Sequence, residues 1–237
     1  MIVARLNGRL GHQMFIYATA RMKCDFLAFD ISKFKKVYFD YELDKLNVNG
    51  IVKDYDKFNG DELVSDWEYN FESIKKELGN ELTIKEELDS KNKKLLKQIQ
   101  DFNSVAIHIR RGDFVGNISR GNICNLTYYE NAKKYFKDSN YKWFIFSDDI
   151  KWCKKNLNMF DNPVFVEGNP NHIDFELMKN CKHFIIANSS FSWWGAWLNE
   201  NPDKIVCYPN VWNKHIQTKI CFPEEWIEVD TNGINNK

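Results

Sequence analysis

The 237-residue chain has no surplus of either charge: 33 lysines and arginines balance 33 aspartates and glutamates. That balance excludes bulk nucleic-acid binding and a broadly basic membrane-facing surface, so any anion site has to be built locally. No apolar run reaches the length of a bilayer span, and the richest stretch, Phe184 to Leu198, is interrupted by Asn188-Ser189-Ser190. Met1-Ile2-Val3-Ala4-Arg5 lacks the layout of a secretory leader. The six cysteines are scattered without a C-x-x-C pair, which argues against a disulfide frame or zinc site and for reduced thiols. The expected location is therefore the cytoplasm, free or peripheral to a membrane, and the sequons at Asn117, Asn125 and Asn188 are read as chance. Internal repeats, low-complexity tracts and proline-rich linkers are also missing. What is abundant is core material: 43% hydrophobic and 15% aromatic residues, ample for one large domain or two small ones.

Ile2 to Leu6 reads as a strand, followed by a glycine-punctuated loop, Asn7 to Gln13, and a helical pattern through Met14, Tyr17, Ala18 and Met22. Gly8 and Gly11 let such a loop approach a ligand, although the G-x-G-x-x-G nucleotide spacing is absent. Residues 32–75 show no sustained period. Ile84 to Gln100 predicts an amphipathic helix with Leu88, Leu95, Leu96 and Ile99 on its buried side. After Asp101 short apolar strands alternate with helices. Strands are expected at Val105–Ile109, Trp143–Phe146, Val164–Val166, Phe184–Ala187 and Ile205–Tyr208; helices at Tyr128–Phe136, Asp149–Leu157, Phe175–Cys181 and Phe191–Leu198. That alternation predicts an α/β, Rossmann-like parallel sheet. It places a boundary near residue 100, giving units 1–100 and 101–237.

Polar clusters stand at the ends of three of these strands. In Val105-Ala106-Ile107-His108-Ile109-Arg110-Arg111-Gly112-Asp113, alternation puts His108 and Arg110 on one face and Val105, Ile107 and Ile109 on the other. Two arginines at the carboxyl end of a strand suit a diphosphate, which guanidinium groups bind bidentately. A charged surface turn with Asp113 paired to an arginine fits the same residues. Ser147-Asp148-Asp149 can orient a sugar hydroxyl or an arginine, or simply cap a helix. Asn188-Ser189-Ser190-Phe191-Ser192 offers hydroxyls and free N–H groups at a helix start, a ready phosphate site, though capping and packing also account for it. Asp174 fits an N-cap, or a carboxylate accepting from N1–H and the 2-amino group of guanine. Asp54-Tyr55-Asp56 matches D-x-D, the metal signature of GT-A glycosyltransferases; no strand leads into it, and it is read as chance.

Taken together these residues resemble the α1,2-fucosyltransferase family of inverting, GDP-fucose-dependent glycosyltransferases. The likeness rests on His108-Ile109-Arg110-Arg111-Gly112-Asp113-Phe114, Tyr128-Tyr129, Phe146-Ser147-Asp148-Asp149, Leu177-Met178, and the unbroken run from Cys181 through Asn188-Ser189-Ser190-Phe191-Ser192-Trp193-Trp194-Gly195-Ala196-Trp197 to Asn199. Pro223-Glu224-Glu225-Trp226 fits too, and Gly8-Arg9-Leu10-Gly11-His12-Gln13-Met14-Phe15 is similar to the family's G-G-L-G-N-Q-M-F. The run ending at Asn199 is highly specific to the family.

The resemblance implies a GT-B-like fold, two Rossmann-like halves facing a cleft, with the N-terminal half on the acceptor side and the C-terminal half binding GDP-fucose. It implies that Arg110 binds the β-phosphate, with Arg111 and Asp113 beside it in the catalytic turn. His108 and Asp174 would hold the guanosine, Ser189, Ser190 and Ser192 the diphosphate, and Asp148 would join the donor site. Gly8, Arg9, Gly11, His12 and Gln13 would face the acceptor, a galactose-containing glycan taking fucose at O2. No metal or other cofactor is implied. His12 stands where the family has Asn, and the stretch between Phe26 and Phe102 is short for the family. Both departures bear on the acceptor more than on the donor. A non-catalytic GDP-sugar or glycan-binding protein, and a fucosyltransferase of another linkage, are the competing readings.

Overall fold

A computed structural model describes residues 2–36, 39–53, 62–64, 70–137, 140–215 and 221–232. Backbone contacts divide the chain into two units, Met1–Glu87 and Leu88–Lys237.

In the first unit β1 (Ile2–Arg5), β2 (Leu27–Asp30), β3 (Gly50–Lys53) and β4 (Glu62–Val64) form a parallel sheet in the order β3-β2-β1-β4. α1 (Leu10–Arg21) follows β1 and is buried along almost its whole length, and α2 (Lys75–Glu81) comes after β4. The two outer strands fall in the stretch where the sequence has no period. Each is only three or four residues long, and Ile51, Val52 and Leu63 are exposed, so no apolar alternation marks them.

The helix expected over Ile84–Gln100 begins later, as α3 (Ser90–Asp101). Asp89 sets the start by accepting from the Asn92 N–H at 2.7 Å, while Ile84 pairs in a bridge with Leu46. Asn92 and Ile99 are its buried residues, whereas Leu95 and Leu96 are half-buried. α3 packs on the second sheet, so the boundary lies ahead of it and not near residue 100.

The second unit carries β5 (Asn103–Ile109), β6 (Tyr141–Ser147), β7 (Val164–Val166), β8 (His183–Ile185), β9 (Val206–Pro209) and β10 (Ile227–Val229). They form one parallel sheet ordered β10-β9-β8-β5-β6-β7. The chain winds outward from β5 through β6 to β7, then returns to β8 and continues the other way. The order therefore reverses between β5 and β8, and the carboxyl ends of those two strands bound a crevice where open α/β sheets bind ligands.

On one sheet face Val105, Ile107 and Ile109 pack against Tyr128 and Tyr129 of α4 (Leu126–Lys133) and Cys153 of α5 (Ile150–Asn156). On the other lie α6 (Asn171–Lys179) and α7 (Ser190–Leu198). Trp193 and Trp194 of α7 are buried, which stabilises the unit by roughly 1.5–3 kcal/mol each. A Cβ on Gly195 would stand 3.2 Å from Met178 Sδ, so glycine lets the two helices approach. None of the six cysteines forms a disulfide. Among the described residues no helix is long and apolar enough to cross a membrane.

Candidate active site

The β5 register places His108 opposite Phe146 and Ile109 opposite Ser147, which brings the turn after β5 beside the turn after β6. Arg110, whose side chain is 11% exposed, is gripped by the carboxylates of Asp113 and Asp148 and stacks over the Phe114 ring at 5.3 Å. Asp148 also accepts from the Arg111 N–H at 2.8 Å. A Cβ at position 112 would lie 2.5 Å from Asp148 Oδ2, so Gly112 is what lets that carboxylate reach the arginine turn. Arg111 has partners of its own: its guanidinium lies 3.9 Å from the Trp152 ring centroid and 3.1 Å from Asp149. The two arginines thus have different partners, although both line one cavity.

Both readings of Ser147-Asp148-Asp149 are realised, by different residues. Asp148 orients Arg110, and Asp149 caps α5 by accepting from the Trp152 N–H at 3.1 Å. That bond is the main reason the Asp149 carboxyl titrates below the usual carboxylate range. Asp113 pairs with Arg110 inside a short 3₁₀ turn, Gly112–Phe114.

Across the crevice, α7 starts at Ser190 with Ser189 as its N-cap residue, yet no side chain caps it. The Ser189 hydroxyl is therefore not consumed in capping the helix start. Ser192 Oγ donates to the Ser189 carbonyl at 3.3 Å and sits 2.9 Å from His108 Nδ1. A hydroxyl has one proton, so Ser192 accepts from Nδ1–H, and the other ring nitrogen of His108 is the acceptor. Burial, reinforced by Arg110, pushes His108 down to about 3, so the imidazole is neutral. Asn188 is buried and donates to the carbonyls of Arg120 and Trp212 at 3.3 and 3.1 Å.

Asp174 is not an N-cap: Pro170 holds that position in α6, and Asp174 lies in the first turn. Asn169 donates to its Oδ1 at 3.0 Å, and burial pushes its carboxyl up to about 7. Phe191 of α7 packs 5.7 Å from Phe175 of α6 and 5.5 Å from the His108 ring. On the α4 and α5 face, a cavity of about 660 Å³ opens at the arginine turn, lined by both Arg110 and Arg111 and by Phe114, Asn117, Trp152 and Lys214 among others.

The glycosyl transferase family 11 profile matches residues 28–230, most of the chain. The chain belongs to glycosyl transferase family 11. An Escherichia coli α-1,2-colitosyltransferase is 34% identical, the alignment covering 97% of this chain and 99% of that one. It runs over 289 positions, more than this chain's 237 residues, so segments of that relative have no counterpart here. An E. coli O-antigen biosynthesis glycosyltransferase, WbnK, is 40% identical over 55% of this chain and 46% of its own length. The bovine galactoside α-(1,2)-fucosyltransferase 2 is 34% identical over 40% of this chain, which spans 30% of it. The crystal structure of NodZ α-1,6-fucosyltransferase soaked with GDP-fucose shares the fold at a TM-score of 0.53 and 11% identity, covering 83% of this chain and 91% of that one. The two parallel α/β units are the components of a GT-B-like fold.

For a family 11 chain, the first unit corrects part of the sequence reading. Gln13, expected toward the acceptor, is fully buried: its amide donates to the carbonyls of Gly8 and Asp40 at 2.9 Å each and accepts from the N–H groups of Glu42 and Leu43 at 3.0 and 3.1 Å. It is spent on the backbone and has nothing left for a sugar. Gly11 is buried inside α1 as well. Arg9 is exposed at the start of α1 with its guanidinium 5.1 Å from the Phe39 ring centroid, and His12 is half-buried. Gly8 holds φ at +69°, and a Cβ there would meet the His12 side chain at 3.1 Å.

Sequence reasoning overlooked Trp152, Asn169 and Asn92, none of which lies in a recognisable motif. The turn signal Gly168-Asn169-Pro170 ahead of α6 was available for Asn169. Asp54-Tyr55-Asp56 lies outside the described residues. Among the described residues, no group of three or more His, Cys, Asp or Glu side chains could hold a metal ion.

Proposed function

We propose that this family 11 protein transfers L-fucose, or its 3-deoxy form colitose, from the GDP conjugate to O2 of a terminal galactose with inversion. The observation that carries this reading is Arg110, fixed by Asp113 and Asp148 at the carboxyl end of β5, the strand that adjoins β8 at the switch point. The acceptor oxygen forms its bond to C1 on the face opposite the diphosphate, the bond from C1 to the diphosphate oxygen breaks, GDP leaves, and the hydroxyl proton is released. Positive charge grows on the sugar and negative charge on the diphosphate. Arg110 and the α7 N–H groups meet that negative charge without reorganising, worth several kcal/mol. Neutral His108 accepts from a ribose hydroxyl, and Asp174 accepts from guanine. The names of the relatives support an α1,2 linkage, and the full-length likeness to a colitosyltransferase is why both sugars enter the proposal.

The deciding assay incubates the protein with GDP-fucose or GDP-colitose, with and without galactosides, and determines product linkage by NMR. Galactoside-dependent GDP release with an α1,2 product is the expected result. GDP sugar bound without turnover on any galactoside would turn the reading toward a binding protein.

Metal-independent transfer is part of the proposal, because arginine and a helix N-terminus provide the positive charge. Activity is expected to survive excess EDTA; a loss restored by Mn²⁺ or Mg²⁺ would overturn this and bring Asp54-Tyr55-Asp56 back into play.

The acceptor is assigned to the first unit, with His12 against it. Asparagine offers an amide donor and acceptor of fixed charge, whereas histidine can gain a proton near neutral pH. His12→Asn is expected to change the acceptor KM or acceptor preference and to leave the KM for the GDP sugar within about twofold, since His12 and the donor groups belong to different units. A change confined to the donor KM would contradict the placement.

A further inference from the structure

The carboxylate of Asp174 stands at the end of a chain of side-chain amides that the transfer chemistry does not use. Asn169 Nδ2 donates to Asp174 Oδ1 at 3.0 Å, and Asn92 Nδ2 of α3 donates to Asn169 Oδ1 at 3.0 Å. Asn92 is 4% exposed, and among the described residues its own Oδ1 is buried with no hydrogen-bond partner. An unpaired buried carbonyl costs about 1–3 kcal/mol. Turning the Asn92 amide over would set oxygen against oxygen, because Asn169 must present its NH₂ to the carboxylate and hence its oxygen to Asn92. The direction of the whole chain is dictated by the acceptor at its end, and the fold tolerates an orphaned oxygen to keep it. A buried unpaired group retained in this way points to a site whose orientation matters.

We propose that Asn169 and Asn92 are positioning residues for recognition of the nucleotide base: the amide chain fixes the plane of the Asp174 carboxylate so that it accepts together from N1–H and the 2-amino group of guanine. This rests on the donor reading above and deepens it. A carboxylate free to rotate pairs with one donor at a time and discriminates poorly between guanine and a base lacking the 2-amino group. Held at Oδ1, it accepts from both donors at once. The local charge agrees. Of the elements packed on α6, α3 contributes Lys91 and α7 carries no charged residue, so among the described residues Asn169 and Lys91 are what oppose the effect of burial on Asp174.

The test compares GDP with IDP, which differs only in lacking the 2-amino group, by calorimetric titration of the full-length protein. The wild type is expected to bind GDP at least roughly tenfold more tightly than IDP, the effect of one hydrogen bond to a charged group. In Asn169→Ala the GDP affinity should fall roughly tenfold and the GDP-to-IDP ratio should approach one. The kcat at saturating donor should stay within about twofold, because Arg110 is untouched. Asn92→Ala removes only the far link and should move the ratio the same way by a smaller factor, while thermal melting of both variants verifies that they fold. The pH profile gives a second readout. With the Asp174 carboxyl held near 7, wild-type GDP affinity should weaken as pH falls through that value, and the loss of Asn169's hydrogen bond should shift the midpoint upward. Equal weakening of GDP and IDP with an unmoved midpoint would show a purely structural role and overturn the inference. If Asp174→Asn leaves GDP binding intact, the base lies elsewhere and the inference falls while the donor reading stands. A wild-type protein that binds no GDP removes the donor reading itself.

Discussion

Arg110→Lys is expected to lower the rate of sugar transfer at least roughly a hundredfold, comparable to losing one preorganised transition-state donor. Lysine keeps the charge but not the planar fork. Arg110 uses that fork to bridge Asp113 and Asp148 while stacked over Phe114. An ammonium can satisfy one of the carboxylates or turn to a diphosphate, and it does not hold a fixed direction while doing so. The effect should fall mainly on kcat, since the charge that Arg110 meets is largest as the bond to the diphosphate breaks. Arg111→Lys should be milder, because that guanidinium is held by Trp152 and Asp149 and not by Asp113 and Asp148. Steady-state kinetics with GDP-fucose and a galactoside, for both variants side by side, is the measurement. Near-wild-type kcat in Arg110→Lys, or the larger loss in Arg111→Lys, would reverse the assignment of roles.

Gln13→Leu should destabilise the first unit by about 3 kcal/mol or more, a large share of what a unit of this size possesses. The substitution keeps the bulk and removes every polar contact. The N–H groups of Glu42 and Leu43 and the carbonyls of Gly8 and Asp40 lose their partner together, and the Leu43 N–H is buried. Hydrogen exchange on the full-length protein is expected to show lost protection in α1 and β1, with α6 and α7 unchanged. Urea unfolding should begin earlier. If Gln13 served the acceptor instead, stability would hold and only the acceptor KM would move.

Much of the second unit was legible in the sequence because each of its central strands is built on a short apolar run, Val105-Ala106-Ile107, Trp143-Phe144-Ile145-Phe146 or Phe184-Ile185, with polar residues around it. β5, β6 and β8 appear where the alternation of apolar and turn residues places them. The first unit was harder to read for the same reason in reverse: β3 and β4 are short, partly exposed and without a period. In the expected helix before β5, Leu95 and Leu96 suggested one long buried stripe, whereas the Asp89 cap and the pairing of Ile84 fix a later start.

Residue chemistry by itself determined that an anion site had to be local, and strand alternation set His108 and Arg110 on the face opposite Val105, Ile107 and Ile109. The motif around Asn188 to Trp197 carried the family. Tertiary structure alone decided which candidate carboxylate does what. Asp148 holds an arginine, Asp149 caps a helix and Asp174 ends an amide chain, yet all three are acidic residues near a helix start in the sequence. Likewise Gln13 reads as a polar loop residue until the backbone groups of Asp40, Glu42 and Leu43 close around it. The physical reason is that a side chain's hydrogen-bond type is local, but its partners arrive from elsewhere in the chain, 37 residues away for Asp148 and Arg111 and 84 for Ser192 and His108.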